Sequence, residues 1–125
     1  ANIEIDVLSK NDIEENVSRF IYGGKRATIL YANAHTIQLA NREERWLIPF
    51  YRSVEMVICD GIGIQIAARL TNQPVPEKIP YNIWFWDFLR FIEGKFSIFL
   101  LGGSSIAIDS TVSRFRKQYP NLQIA

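Results

Sequence analysis

The stretch Val57-Ile58-Cys59-Asp60-Gly61-Ile62-Gly63 joins a short apolar run to a carboxylate and two glycines. An uninterrupted apolar run is typical of a strand buried on both faces of a parallel sheet, and the glycines let the backbone turn sharply and approach a ligand. A second stretch has the same plan, with Phe96-Ser97-Ile98-Phe99-Leu100-Leu101 leading into Gly102-Gly103-Ser104-Ser105. Each stretch predicts a strand, a tight turn and a helix, which is the building unit of parallel α/β folds.

The same alternation of strands and amphipathic helices runs through the rest of the chain. Strands are predicted over residues 3–7, 27–31, 57–60, 96–101 and 122–125, the first of them at a sheet edge. Five helices are predicted: from Ser9 to the glycines at 23–24, through 37–47, over 62–70, over 84–92, and from about 104 to a point before Pro120. Pro49 closes the region of the second helix, and the third has Ile62, Ile66 and Leu70 on one side. We therefore predict one α/β domain over residues 1–125, with a mostly parallel sheet, helices on both faces and a Rossmann-like layered architecture.

Composition limits the classes of partner. The 125 residues suffice for one compact domain with a core. Fourteen basic against thirteen acidic residues leave a net charge of +1, and no block of like charges occurs, which argues against nucleic acid as the main partner. The sole cysteine, Cys59, lies in an apolar run and predicts a packed thiol in a reducing cytoplasm. No apolar stretch approaches the roughly 18 residues that span a bilayer.

Asp60 is the candidate catalytic residue, because it ends a buried strand at the sheet edge where open α/β folds bind small molecules. The segment invites comparison with the dinucleotide fingerprint G-x-G-x-x-G, but Ile66 replaces the third glycine and the fingerprint fails. A carboxylate ahead of Gly61 and Gly63 would repel a pyrophosphate at this helix unless a metal ion or a basic side chain intervenes, so a sugar hydroxyl is the better partner. The structural alternative is an aspartate that only caps the helix.

Asn33 and His35, the sole histidine, follow the second predicted strand. Because the carboxyl ends of parallel strands share one edge, both side chains can converge with Asp60 on one cleft. Taken alone, an Asx-turn at a strand-to-helix junction is the simpler interpretation of Asn33, and a capping or core imidazole that of His35. One histidine and one buried cysteine cannot form an ordinary zinc site, and no spacing indicates a nucleophilic triad. We predict no metal and no other cofactor.

Two further features each have two interpretations. Gly102 and Gly103 precede a predicted helix whose first N–H groups can receive a phosphate, while the serines that follow can equally be helix caps. The aromatic run Trp84-Phe85-Trp86 lies in a helical pattern and predicts core packing. Because the three residues are consecutive, at least one ring points away from the core, where it can serve a dimer or membrane contact.

Four stretches, in their order and separations, match a known family across nearly the whole chain. They are Ala32-Asn33-Ala34-His35, Cys59-Asp60-Gly61-Ile62-Gly63 with Arg69-Leu70, Glu77-Lys78-Ile79-Pro80, and Phe99-Leu100-Leu101-Gly102-Gly103 leading to Tyr119-Pro120-Asn121-Leu122. On these residues the chain resembles the WecG/TagA/CpsF family of bacterial glycosyltransferases, which includes the N-acetylmannosamine transferases of wall teichoic acid synthesis. The combination is specific, although no single motif is.

The resemblance implies an inverting transfer of a hexose-type sugar, similar to N-acetylmannosamine, from a UDP-sugar to a polyprenyl-diphosphate-linked saccharide. Such a reaction belongs to cell-envelope or exopolysaccharide synthesis at the cytoplasmic face of the membrane. The resemblance makes Asp60 the general base and Asn33 the family's strand-end asparagine. Because no D-x-D-like metal site is evident in the sequence, we expect the reaction to be metal-independent. Lys78 stands where the family usually has arginine, which keeps the charge but loses the bidentate fork. Tyr31 stands where a threonine is frequent.

Other departures bear on the acceptor and on the length. Tyr81 and Ile83 stand where the family often has a glycine and an acid. The family's shared region is longer, so we expect this chain to be the N-terminal part of a longer enzyme and to lack full activity alone. The expected partners are a UDP-sugar, a lipid-linked acceptor, the membrane surface through the missing part, and a second copy of the chain. Two other classes remain open: a non-catalytic module that binds a nucleotide or a protein, and a dinucleotide-binding oxidoreductase domain.

Overall fold

The computed structural model describes residues 3–42 and 44–125, and within them the chain is α/β. The elements are α1 (Lys10–Tyr22), β1 (Ile29–Ala32), α2 (Ala34–Arg42), α3 (Leu47–Ser53), β2 (Met56–Cys59), α4 (Ile62–Leu70), α5 (Tyr81–Ile92), β3 (Ser97–Ile98), α6 (Ser105–Gln118) and β4 (Gln123–Ile124). The strands form two parallel pairs, β1 with β2 and β3 with β4. The prediction of an α/β fold with parallel strands is confirmed, but each sheet has two strands only.

The chain divides into two compact units, one up to Trp84 and the other from Phe85 onward, with α5 spanning the division. In the first unit, β1 and β2 pair in register from Ile29 opposite Met56 to Ala32 opposite Cys59. All four residues of β2 are buried, as expected for a strand covered on both faces. This pairing brings the carboxyl ends of β1 and β2 side by side. Whether residues 1–125 form a single domain stays a prediction.

The predicted first strand is wrong. Residues 3–7 lie beside β2, and the Asp6 N–H donates to the Val57 carbonyl at 3.0 Å. The Val57 N–H, however, donates to the Asp6 side-chain oxygen Oδ2 at 2.7 Å. Because the carboxylate accepts the bond that a backbone carbonyl accepts in a ladder, no regular strand forms. Ile3 nevertheless joins the core of this unit.

Two helix predictions for the first unit also need correction. Pro49 lies in the first turn of α3 instead of closing the helix before it, and a proline is tolerated there because the first N–H groups of a helix have no helical acceptor. In α4, the face formed by Ile62, Ile66 and Leu70 is exposed, with Leu70 80% accessible, and Ile64 is the buried residue. The helix therefore turns a different side to the core from the one that its apolar spacing predicted.

The second unit has an aromatic core. Leu89 and Ile92 of α5 are buried with Phe115, Tyr119 and Leu122. The Tyr119 hydroxyl donates to the Trp86 carbonyl at 2.9 Å, so the buried polar atom is satisfied. The strand predicted over 96–101 is reduced to two residues, and beyond it Leu101 is 92% exposed. Within residues 3–42 and 44–125, none of the helices combines the length and apolar character that a bilayer crossing requires.

Candidate functional site

Asp60 directly follows β2, and the end of β1 holds its backbone. Its N–H donates to the Ala32 carbonyl at 2.9 Å, which continues the β1–β2 ladder by one bond, and its side chain is half-buried. Gly61 then adopts φ +136° and ψ 150°, a conformation open essentially only to glycine, and α4 begins at the next residue. Gly61 provides no side-chain cap, so the start of α4 differs from a serine- or aspartate-capped helix.

Asn33 caps the neighbouring helix. Its Oδ1 accepts bonds from the Thr36 N–H at 3.0 Å and from the Thr36 hydroxyl at 3.2 Å, which is the geometry of an N-cap on α2. Asn33 therefore has a local structural role at the strand-to-helix junction, as the Asx-turn alternative predicted, and that role is a helix cap. The cap uses only the oxygen of the amide, and the nitrogen is not part of it. A Cβ placed on Gly61 would lie 3.8 Å from the Asn33 Cβ, so this asparagine and the Asp60–Gly61 turn are adjacent.

Gly63 allows α2 and α4 to begin side by side. A Cβ built on Gly63 would come within 3.1 Å of the Ala34 Cβ, closer than side chains normally pack. Ala34 is the first residue of α2 and Gly63 the second of α4. The two glycines of the Asp60-Gly61-Ile62-Gly63 turn thus have separate roles: Gly61 adopts the turn conformation, and Gly63 permits the close approach of the helices.

Lys78 reaches the same sheet edge through its own backbone segment. The N–H of the following residue, Ile79, donates to the Cys59 carbonyl at 2.9 Å, at the end of β2. The Gln65 side chain of α4 also donates to the Pro76 carbonyl at 2.9 Å and ties this segment to the helix. Burial raises the pKa of the Cys59 thiol, and the positive charge of Lys78 acts in the opposite direction. Lys78 is therefore close enough to influence the residue next to Asp60.

Three aromatic residues that were not among the predicted site residues form a cluster beside this edge of the sheet. We call Tyr31, Tyr81 and Trp84 the aromatic cluster. The ring of Tyr31 in β1 meets Tyr81 edge-on at 6.1 Å between centroids and Trp84 at 6.3 Å. Burial, and after it the negative charge of Asp60, raise the pKa of the Tyr31 hydroxyl. The only signal in the sequence was the position of Tyr31 two residues before Asn33. Its closeness to Asp60 depends on the register of β1 and β2.

The remaining candidates are His35, Gly102 and Gly103. His35 is exposed on the first turn of α2. Gly102 and Gly103 belong to the second unit, where both have positive φ (+113° and +78°). Ser104 caps α6 by accepting from the Ala107 N–H at 3.3 Å, so the capping interpretation is present there too. A phosphate role for the glycines stays a prediction.

One hollow of about 530 Å³ lies at the opposite end of β2 from Asp60, where Glu4, Asp6 and Glu55 face Arg52. This hollow is away from the predicted chemistry, and its acidic lining does not suit a nucleotide diphosphate. Among residues 3–42 and 44–125, no group of three or more histidine, cysteine, aspartate or glutamate side chains is arranged to hold a metal ion. Metal independence of the reaction stays a prediction.

Comparison with known proteins identifies the class. The sequence profile described as "Glycosyl transferase WecG/TagA/CpsF family" matches residues 1–125, so the chain belongs to this glycosyltransferase family. The chain is also 30% identical over 122 residues to the N-acetylglucosaminyldiphosphoundecaprenol N-acetyl-beta-D-mannosaminyltransferase of Bacillus subtilis (strain 168). The match covers 97% of this chain and 44% of the relative, so the chain spans a little less than half of the relative's length.

Proposed function

We propose that this chain forms part of an enzyme that transfers an N-acetylmannosamine-like hexose from a UDP-sugar to a polyprenyl-diphosphate-linked saccharide with inversion at the anomeric carbon. The family is one of glycosyltransferases, and the relative's name gives both an N-acetylmannosaminyl group and an undecaprenyl-diphosphate acceptor. We extend the proposal to a Rossmann-like layered sheet in the whole enzyme, to which β1 and β2 would belong, and to its action at the inner face of the membrane in cell-envelope polysaccharide synthesis.

The observation that supports the proposal most strongly is the position of Asp60. The carboxylate follows a fully buried strand, is half-buried itself, and lies beside Asn33 and next to a helix whose first residue has no side-chain cap. This is the edge at which parallel α/β sheets bind ligands. A fixed, partly accessible carboxylate can accept a proton, and a neighbouring amide can donate to a sugar oxygen.

In the proposed reaction, Asp60 removes the proton from an acceptor hydroxyl while that oxygen attacks the anomeric carbon of the donor. The bond from that carbon to the diphosphate oxygen breaks on the opposite face, so the configuration inverts and the nucleotide diphosphate departs. The charge that develops on the diphosphate is met by Lys78 and by the backbone N–H groups of a helix start. We propose that this occurs without a metal ion.

The decisive experiment uses Asp60→Asn in the full-length enzyme, assayed with UDP-N-acetylmannosamine and a lipid-linked N-acetylglucosamine acceptor. Loss of a general base should lower the transfer rate by about 10²- to 10⁴-fold without lowering the unfolding temperature. Asp109→Asn, which alters an exposed carboxylate on α6, is the matched control and should transfer at the wild-type rate. An unchanged rate for Asp60→Asn would remove Asp60 from the mechanism.

A further inference from the structure

Tyr31 carries a polar atom whose environment calls for a partner. It pairs with Ile58 in the β1–β2 ladder, and because side chains alternate along a strand it extends to the face opposite Ala32, which is fully buried in the core. The ring is held by Tyr81 and Trp84 in the aromatic cluster. The side-chain position is therefore fixed by packing before any ligand binds.

The hydroxyl of Tyr31 is shielded from solvent and has no hydrogen-bond partner among the residues that the structure describes. Buried polar side-chain atoms in folded proteins nearly always have a partner, because an unsatisfied one retains its full desolvation cost. Such an exception at the edge of a candidate active site indicates a group whose partner arrives, or turns toward it, during function. A neutral tyrosine hydroxyl is a hydrogen-bond donor.

Asp60 is the acceptor that the surroundings favour. Asn33 and Asp60 continue the β1–β2 ladder beyond the pairs Tyr31–Ile58 and Ala32–Cys59, so Tyr31 and Asp60 belong to the same end of the sheet. The charge of Asp60 also acts on the Tyr31 hydroxyl and, together with burial, keeps it protonated. Other ionisable groups around this edge are the buried Cys59 thiol, the Tyr51 hydroxyl, which donates to the Tyr31 carbonyl at 2.7 Å, the Tyr81 hydroxyl, and the exposed side chains of Lys78 and His35.

We propose that the Tyr31 hydroxyl donates a hydrogen bond to the Asp60 carboxylate in the substrate complex and so acts as a positioning residue for the base. This inference rests on the proposed function of Asp60. The bond would fix one carboxylate oxygen, leave the other free to accept the proton of the acceptor hydroxyl, and favour the ionised carboxylate. Hydrogen bonds that support catalysis are often long in the free enzyme and shorten once substrate binds.

The test is the pH dependence of kcat for Tyr31→Phe in the full-length enzyme, because the pH profile of kcat reports the ionisable groups of the substrate complex. Removal of a hydrogen-bond donor raises the proton affinity of the Asp60 carboxylate. The acidic limb of the pH–rate profile should therefore move to higher pH by about one unit. Tyr81→Phe is the matched control, because it removes the hydroxyl of an exposed tyrosine from the same aromatic cluster. Its limb should coincide with that of the wild type. Cys59→Ser and His35→Gln show whether either side chain contributes to the limb.

A second substitution separates positioning from simple packing. Incorporation of 3-fluorotyrosine at position 31 keeps the ring and strengthens the donor, so the acidic limb should move downward, opposite to Tyr31→Phe. A purely structural tyrosine would lower kcat at every pH without moving the limb, and a tyrosine that binds substrate alone would raise KM at every pH without moving it. Either result overturns the inference.

Asp60→Asn separates a failure of the positioning role of Tyr31 from a failure of the proposed function. If Asp60→Asn loses transfer while Tyr31→Phe keeps the wild-type limb, this inference is wrong and the proposed function stands. If Asp60→Asn transfers at the wild-type rate, the proposed function is wrong and this inference with it.

Discussion

The two glycine turns have the same plan in the sequence but different surroundings in the structure. In the first unit, a fully buried strand leads into Gly61 and Gly63, and Cβ atoms added there would meet Asn33 and Ala34 of the neighbouring strand and helix. In the second unit, a Cβ added at Gly102 would meet nothing within 4 Å, and one added at Gly103 would meet Ala107 of the helix that follows at 3.7 Å. The first turn therefore packs against another strand and helix of its unit, whereas the contact of the second turn is local in the sequence.

The helices that follow the two turns begin differently as well. Ser104 caps α6 with its own side chain, whereas Gly61 leaves the start of α4 without a side-chain cap. In a capped helix, a side chain accepts from one or more of the first backbone N–H groups. In an uncapped helix these N–H groups stay available to water or a ligand. Of the two turns, the one with the carboxylate is thus also the one whose helix start is open, which is the arrangement expected of a binding site.

The largest expected difference is between the two strands. Ile58 of β2 is 1% exposed, and Ile58→Ala should lower the free energy of unfolding by about 2–5 kcal/mol. Ile98 of β3 is only partly buried, and Ile98→Ala should cost roughly half as much, because less of the side chain leaves the core. Urea denaturation of both variants measures the difference. Equal costs would contradict the contrast in burial.

Gly63→Ala tests whether the first turn depends on a close helix contact. The added methyl group crowds Ala34, and we expect a loss of about 1–2 kcal/mol in the free energy of unfolding. Alanine forms helices better than glycine. Without the crowding by Ala34, the same substitution would therefore raise the free energy of unfolding by up to about 1 kcal/mol. Addition of Ala34→Gly should relieve the crowding, with a coupling of about 1 kcal/mol in a double-mutant cycle. Strict additivity would show that the contact is not tight.

Ser104→Ala tests the cap at the second turn. The loss of the bond from the Ala107 N–H to the serine hydroxyl should lower the stability of this unit by about 1 kcal/mol. Hydrogen exchange of the first-turn amides of α6 provides the measurement. Ser110→Ala, at an exposed position of the same helix, is the control and should leave exchange nearly unchanged. If both variants behave alike, the hydroxyl of Ser104 is not acting as a cap.

The smallest expected effect is a pH dependence of α1, which unlike α6 has a cap that includes a carboxylate. Asp12 accepts from the Ser9 hydroxyl at 2.6 Å and from the Ser9 N–H at 2.7 Å, and these bonds hold the pKa of Asp12 below its usual value. Its folded pKa is thus lower than its unfolded pKa. The stabilisation is present above the unfolded pKa of about 3.8 and is lost as the pH falls through the folded value.

Amide exchange in the first turn of α1 between pH 5 and pH 2 measures this effect, after correction for the intrinsic pH dependence of exchange. Asp12→Asn should remove the titration, while α6 with its neutral serine cap should show none over the same range. A matching titration in α6 would assign the effect to global acid unfolding instead.

Local chemistry allowed much of the fold to be predicted. The Ser9 cap, the end of α1 at Gly23, the helix over 62–70 and the helix that ends before Pro120 are all observed, because capping residues, glycines and prolines act within one turn of the chain. The predicted strands were less accurate. The alternating pattern at 3–7 and the apolar run at 96–101 resemble strands locally, but a strand also needs a partner in register, and only part of each segment has one.

The sequence by itself determined the family, the parallel strand–turn–helix plan and the candidate carboxylate at the end of β2, because these follow from short patterns of residue type. Only the tertiary structure decided that Asn33 caps α2 beside Gly61, that Ile64 and not the exposed Ile62 and Ile66 is the buried residue of α4, and that the Tyr31 hydroxyl is buried without a hydrogen-bond partner among the described residues. The physical reason is that these facts depend on the register between β1 and β2 and on which helix face finds space to pack, and neither is encoded within one turn or one strand.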